Sequence, residues 1–143
     1  RLKQDNDESE EERDSILSGL HFLVVEDNDI NAEILSELLD IEGATCEIAE
    51  NGKLGLERFE RAAAGEFDAI LMDVQMPVMN GYDATRAIRA MERREAREIP
   101  IIAMTANAFA EDIAKALAAG MNDHVAKPID YERLFGVLEK CLV

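Results

Sequence analysis

The sequence predicts a doubly wound α/β domain, in which helices cover both faces of one parallel sheet. Three observations lead to this prediction. Short apolar runs of strand length recur along the chain, and they alternate with segments whose apolar residues repeat at helical spacing. The chain has 143 residues and 48% hydrophobic content, which is enough for one domain with a substantial core.

Five segments are predicted to be β-strands because they are short, apolar and followed by turns or helices. They are residues 20–25, 45–50, 67–73, 99–105 and 123–127. The second segment differs from the others, since Cys46 and Ile48 alternate with polar neighbours. That alternation is typical of an edge strand with one exposed face.

Five helices are predicted from apolar positions at helical spacing, over residues 30–41, 54–63, 82–94, 108–120 and 129–142. Gly43, Gly65 and Gly120 end the first, second and fourth of them. Residues 74–81 are predicted to be a loop, since Pro77 and Gly81 resist helix formation. Regular alternation implies βαβ units and a flavodoxin-like, five-stranded parallel sheet with five flanking helices.

The first 19 residues are polar and acidic, with little apolar periodicity. We expect residues 1–19 to form a disordered linker and residues 20–143 to form the domain. A short helix continuing from an upstream domain is the alternative for the linker. Because the first residue is Arg1 rather than Met, we also expect the chain to be a fragment of a longer protein.

The charge of the chain narrows the range of partners. The formal net charge is −16, and most of it belongs to the domain, because the first 20 residues hold three basic and seven acidic side chains. Such a surface repels nucleic acid and anionic membranes. Cys46 and Cys141 are too few for a disulfide framework or a zinc site, and no signal peptide or membrane-length apolar run is present. A cytoplasmic location is expected.

Polar residues follow four of the predicted strands at the point where each strand ends. Glu26 and Asp27 follow the first strand, and Asp73, Thr105 and Lys127 end the third, fourth and fifth. Because parallel strands end at a common edge, we expect these side chains to converge where open α/β sheets hold their ligands. Each has a structural alternative, such as a helix cap for the threonine or a solvated turn for the lysine.

Three carboxylates at one edge would repel one another, and a hard divalent cation relieves that repulsion. Oxygen ligands favour Mg²⁺, whereas zinc or iron would favour the histidine or cysteine that this cluster lacks. Asp73 is a candidate nucleophile that could form an aspartyl phosphate. With Lys127 as a positive clamp and Thr105 as a hydrogen-bond donor, the set provides the parts needed for phosphoryl transfer.

Four ordered segments of the chain resemble the receiver domain of two-component response regulators. They are LVVEDNDINAEI, ILMDVQMPVMNGYDATR, IIAMTANAF and GMNDHVAKPID, and the resemblance runs from about Leu20 to the C-terminus. The sequences of these segments are most similar to those of receivers attached to hybrid histidine kinases. The resemblance implies a phosphorelay function, with a histidine kinase or histidine phosphotransfer protein as partner.

The resemblance also implies a role for each residue of the metal site. Asp73 would be the phosphoacceptor. Asp27 and Asp73 would ligate Mg²⁺ directly, Glu26 would act largely through water, and the backbone carbonyl of Gln75 would be a further ligand.

Around the phosphoryl group, the resemblance implies that Lys127 contacts it and that Thr105 swings toward it after transfer, which switches the domain. The family often has an aromatic residue three positions before this lysine, where the present chain has His124. This departure puts the usual aromatic switch in doubt. Gln75 and Asn107 occupy the positions that tune the lifetime of the aspartyl phosphate in this family.

Two other functions are weighed against this one. A receiver-like fold could serve as an interaction module without phosphorylation, although the complete carboxylate, threonine and lysine set argues against it. An aspartyl phosphohydrolase would commonly carry a second carboxylate two residues after the nucleophile, where this chain has Gln75. A nucleotide-binding role is disfavoured because no phosphate-binding loop of the G-x-x-x-x-G-K-[ST] type is present.

Overall fold

A computed structural model describes residues 16–106 and 109–142 of the chain. Its strands are β1 (His21–Val25), β2 (Thr45–Ala49), β3 (Ala69–Asp73), β4 (Ile101–Thr105) and β5 (Asp123–Ala126). Its helices are α1 (Asp29–Ile41), α2 (Gly52–Glu60), α3 (Gly81–Arg89), α4 (Arg94–Glu98), α5 (Ala110–Ala119) and α6 (Tyr131–Leu142). None of the helices in these ranges is long and apolar enough to cross a membrane.

The five strands form one parallel sheet, as the sequence predicts, and their order is β2-β1-β3-β4-β5, which is a doubly wound arrangement. Strand β2 lies at one edge, and two of its five residues are exposed, which confirms the predicted edge strand. Strands β3 and β4 are buried along their whole length. Their sequences are almost continuously apolar because helices cover both of their faces.

The core consists of two apolar clusters, one on each face of the sheet. Leu23 and Val25 of β1 belong to one cluster, whereas Phe22 and Val24 belong to the other. Successive side chains of a strand point to opposite faces, so β1 contributes to both clusters. This two-sided burial fixes the position of β1, and with it the position of the acidic pair that follows.

The helix content differs from the prediction in one place. The sequence predicted five helices, with a single helix over residues 82–94, but the described residues contain six. Helix α3 ends at Arg89, residues 90–93 are not helical, and the additional short helix α4 begins at Arg94. Arg93, the residue that precedes α4, is extended, with a φ of −136° and a ψ of 136°. Its guanidinium donates to the backbone carbonyls of Phe59, Glu60 and Ala62 and thereby caps the end of α2. Periodicity could not reveal this long-range capping.

Ordered packing begins before residue 20, the predicted start of the domain. Leu17 is only 3% exposed and belongs to the same core cluster as Phe22. The backbone N–H of Gly19 donates to the carbonyl of Gly43 at 2.9 Å, which ties this segment to the end of α1. Residues 1–15, where most of the predicted linker falls, lie outside the described residues.

Candidate active site

The parallel sheet brings the polar strand ends to one edge, as predicted. Glu26 and Asp27 directly follow β1, Asp73 and Thr105 are the last residues of β3 and β4, and Lys127 directly follows β5. Strands β1, β3 and β4 are neighbours in the sheet, so the carboxylates lie close together. Glu26, Asp73 and Thr105 are buried, whereas Asp27 is exposed at the mouth of the site.

Lys127 holds two of the carboxylates. Its Nζ atom lies 2.7 Å from Oε1 of Glu26 and 3.1 Å from Oδ2 of Asp73. The other oxygen of Asp73, Oδ1, accepts a long hydrogen bond of 3.3 Å from the backbone N–H of Gln75. The ammonium group of Lys127 therefore bridges the ends of β1 and β3. The prediction that Glu26, Asp73 and Lys127 converge is correct.

Burial and mutual repulsion shift the proton affinities of this cluster. Burial, together with the neighbouring Glu26, raises the pKa of Asp73 from its ordinary 3.8 to about 8. Burial alone would also raise the pKa of Glu26, but its interactions with Asp73 and Lys127 outweigh that effect and lower the pKa. Burial disfavours the Lys127 ammonium, yet the two carboxylates raise its pKa overall. Without a divalent cation, Asp73 is thus the carboxyl group that retains a proton near neutral pH.

The same three carboxylates have the chemistry of a site for a hard cation. Glu26, Asp27 and Asp73 each offer an oxygen atom, and these atoms lie within 4.8 Å of one another. Oxygen Oε2 of Glu26 is buried without a well-formed hydrogen bond among the described residues. Buried carboxylate oxygens carry such a cost unless a donor or cation satisfies them. The residues present therefore fit Mg²⁺, which prefers carboxylate and water oxygens.

The loop after β3 needs a glycine to close over the site. The backbone N–H of Gly81 donates to the carbonyl of Val74 at 2.9 Å, and a Cβ atom at position 81 would lie 2.2 Å from the backbone oxygen of Asp73. Asn80 then caps α3, since its side chain accepts from the backbone N–H of Asp83. The predicted loop is thus a closely packed turn that fixes the Asp73 backbone.

Thr105 borders an open pocket of about 360 Å³ beside the carboxylates. Gln75 lies on the same pocket, together with three residues that the sequence reasoning did not single out: Tyr82, Asp112 and Lys115. Their spacing offered little signal, since an exposed lysine on an amphipathic helix is usually a solvated residue. Only the packing of α3 against α5 shows that they face the site.

His124 does not share this pocket with Thr105. It lies in a separate groove between α5, β5 and α6, where its Nδ1 atom is 3.6 Å from Oδ1 of Asp123. Asn107, the second predicted lifetime-tuning position, lies outside the described residues.

A doubly wound sheet with three carboxylates, a lysine and a threonine at its carboxyl edge defines a receiver-type phosphoacceptor domain. Residues 22–139 match the family model of the response regulator receiver domain. The chain belongs to that family, whose function is two-component phosphorelay signalling, and the resemblance noted from the sequence is confirmed.

Similar proteins include histidine kinases of much greater length. Probable histidine kinase 2 of Oryza sativa subsp. indica is 40% identical over 134 residues, which cover 86% of this chain but 13% of the kinase. Hybrid signal transduction histidine kinase I of Dictyostelium discoideum is 42% identical over 118 residues, covering 81% of this chain and 7% of the kinase. The chain therefore spans a small fraction of these relatives.

Solved structures of receiver domains share the fold. The receiver domain of sensor histidine kinase PA1611 from Pseudomonas aeruginosa PAO1, which has a magnesium ion coordinated in its active-site cleft, is 40% identical with a TM-score of 0.78, covering 87% of this chain and 98% of that one. The Saccharomyces cerevisiae receiver domain of Ssk1, crystallised with the histidine phosphotransfer protein Ypd1, belongs to a structure matched at 30% identity and a TM-score of 0.76, covering 86% of this chain and 88% of that one.

Proposed function

We propose that Asp73 accepts a phosphoryl group from a phosphohistidine of a partner protein in a reaction that requires Mg²⁺. The observation that supports this most directly is the placement of Lys127, 3.1 Å from Oδ2 of a buried aspartate that sits among further carboxylates. That arrangement combines a nucleophile, a positive clamp and a cation site, the parts on which phosphoryl transfer depends.

Asp27 and Asp73 would ligate the metal directly, with Glu26 acting largely through water and the backbone carbonyl of Gln75 as a further ligand. Bound Mg²⁺ supplies positive charge, which favours the ionised form of Asp73 and offsets the charge of the incoming phosphate. Asp73 needs this help because burial and Glu26 raise its pKa to about 8 in the cation-free site. The metal requirement thus follows from the electrostatics of the carboxylate cluster.

In the transfer step, an ionised oxygen of Asp73 attacks the phosphorus atom as the N–P bond of the phosphohistidine breaks. The electron pair of that bond remains on the imidazole nitrogen. Lys127 would contact a phosphoryl oxygen as a point charge, and Thr105 would donate a hydrogen bond from its hydroxyl group. The new charge would then shift the domain between two conformations.

We further propose that the chain is the receiver of a hybrid sensor histidine kinase, exchanging phosphoryl groups with a kinase or histidine phosphotransfer partner. The similarity to histidine kinases from Oryza and Dictyostelium supports this parentage, and the yeast receiver crystallised with Ypd1 supports the class of partner.

The test is the intact mass of the domain after incubation with a phosphorylated histidine phosphotransfer protein, with and without Mg²⁺. We expect a gain of one phosphoryl group that requires Mg²⁺ and is labile in base. Asp73→Asn should abolish the gain, whereas Asp40→Asn, an exposed site at the end of α1, should not. No gain with the phosphohistidine donor, or partner binding and signalling that do not depend on Asp73, would favour the non-phosphorylated interaction module, whereas a gain that survives in Asp73→Asn would place the phosphoryl group on another residue.

A further inference from the structure

The wall of the pocket beside Thr105 includes a lysine side chain that has no role in the proposed transfer chemistry. Lys115 of α5 lies on this pocket, whose other polar walls include Gln75, Asn80 and Tyr82. Lys127 is engaged by Glu26 and Asp73, but Lys115 is exposed and makes no ion pair within the described ranges. Its ammonium group is therefore available to a molecule in the pocket.

The pocket adjoins Asp73 through the neighbouring residues of the chain and the sheet. It is bordered by Val74 and Gln75, the two residues that follow Asp73, and by Thr105 at the end of the neighbouring strand. In an in-line transfer, the leaving group departs on the side of the phosphorus atom opposite the attacking oxygen. Asp73 itself is only 3% exposed, so a donor has to enter by the open space next to it.

The size of the pocket limits which leaving group it can take. A volume of about 360 Å³ is large enough for a small molecule and far too small for a folded protein. Among the described residues on its wall, Lys115 is the one cationic side chain and Asp112 the one carboxylate. The Asp112 backbone oxygen already accepts a weak hydrogen bond of 3.4 Å from the Tyr82 hydroxyl, which holds α3 against the start of α5.

We propose that this pocket is a leaving-group site in which Lys115 favours small phosphodonors with an anionic leaving group, such as acyl phosphates. The inference rests on the proposed acceptance of phosphate by Asp73. In the reaction with acetyl phosphate, an Asp73 oxygen bonds to phosphorus while the bond between phosphorus and the acyl oxygen breaks. The electron pair leaves with acetate, whose developing charge Lys115 stabilises. Phosphoramidate and phosphoimidazole release a neutral amine or imidazole after proton transfer to nitrogen, so they gain little from Lys115.

The experiment compares rates of Asp73 phosphorylation with acetyl phosphate, phosphoramidate and phosphoimidazole at saturating Mg²⁺. The ratio of the acetyl phosphate rate to the phosphoramidate rate should fall about fivefold in Lys115→Met, the loss expected for one solvent-exposed charge pair. Lys115→Arg should retain most of the ratio. Lys140→Met is the matched control, because it removes the same charge from a side chain that is 76% exposed and pairs with Asp123 at the start of β5.

The proposal would be overturned by an unchanged ratio in Lys115→Met or by an equal loss of rate with all three donors. Labelling by a phosphorylated histidine phosphotransfer protein but by none of the small donors would also overturn it, while leaving the proposed function intact. Failure of every donor, including the phosphohistidine protein, would instead refute the proposed function. Magnesium affinity, measured by calorimetry, should be the same in wild type and Lys115→Met.

Discussion

The Nζ atom of Lys127 lies 3.1 Å from Oδ2 of Asp73, although the two residues follow β5 and β3, which are separated by β4. The same ammonium lies 2.7 Å from Oε1 of Glu26, beyond the end of β1. One flexible side chain thus connects strand ends across most of the sheet. Two buried carboxylates share this one ammonium group, so removing it should lower the stability of the domain.

Lys127→Met should destabilise the metal-free domain at pH 8 by about 2–4 kcal/mol, because it leaves two buried carboxylates without a counter-charge. The pKa of Lys127 is raised, so its stabilising charge is fully present below the ordinary value of 10.5. Lowering the pH toward 5.5 protonates a carboxyl group and should reduce the deficit. Urea unfolding checks this, and the surface variant Lys140→Met should change stability by less than about 1 kcal/mol.

Asp73 should make the metal-free domain less stable as the pH rises. Its folded pKa of about 8 exceeds the ordinary value of 3.8, so its contribution is fully present below 3.8 and is lost as the pH rises through 8. Asp73→Asn removes this titration and should be about 2 kcal/mol more stable than wild type at pH 8. The difference should shrink toward pH 5.5. Urea unfolding in chelator at both pH values measures it, and a constant difference would contradict the assigned shift.

The sequence could predict where these charged groups lie, but not how they interact. The convergence of the strand ends could be predicted because apolar runs such as residues 101–104 are followed directly by polar residues such as Thr105, and parallel strands must end at one edge. The association of Glu26, Asp73 and Lys127 follows from that topology. The sharing of one ammonium by two carboxylates does not, because it depends on side-chain reach and burial.

The features that the prediction missed depend on contacts between distant segments. The interruption between α3 and α4 includes Arg93, whose side chain caps α2, more than 30 residues away. Lys115 reaches the pocket through the packing of α3 against α5. Leu17 is one apolar residue in a polar segment, and its burial becomes evident only when the end of α1 packs beside it.

Mg²⁺ should bind through the exposed member of the carboxylate cluster, Asp27. Asp27→Asn should weaken Mg²⁺ binding at least about tenfold, since even residues that only support a metal ligand commonly cost that much. The chain has no tryptophan, so isothermal calorimetry is the suitable measurement. Asp40→Asn, which removes one exposed carboxylate from the C-terminal end of α1, should leave the affinity within about twofold. Equal losses in the two variants would indicate general charge screening rather than a site.

An ion network that links β1, the edge strand β2 and α2 should contribute to stability at neutral pH. Glu47 accepts from Arg58 at 2.7 and 2.8 Å and lies 2.9 Å from Nε2 of His21, and these contacts lower its pKa from 4.5 to about 2. A depressed pKa gives stability that is present above 4.5 and is lost as the pH falls through 2. Because the Glu47 side chain is 39% exposed, Glu47→Gln should cost less than about 1 kcal/mol at pH 7.

That cost should be smaller still at pH 3, as measured by urea unfolding. Glu98→Gln offers a comparison, since Glu98 pairs with Arg94 and both side chains are more than half exposed. It should have almost no effect at either pH. A larger loss for Glu98→Gln than for Glu47→Gln would show that the network is not stabilising.

Gly81 should be essential to the geometry of the site, and Gly136 should not. A Cβ atom at position 81 would lie 2.2 Å from the backbone oxygen of Asp73, whereas one at position 136 meets nothing within 4 Å. Gly81→Ala should therefore cost about 1–3 kcal/mol and weaken Mg²⁺ binding, because the chain must move the Asp73 backbone to relieve the clash. Gly136→Ala, inside α6, should instead stabilise the domain by about 0.5–1 kcal/mol. Thermal unfolding and calorimetry on the two variants separate these effects, and equal tolerance of both substitutions would show that the turn after β3 does not need glycine.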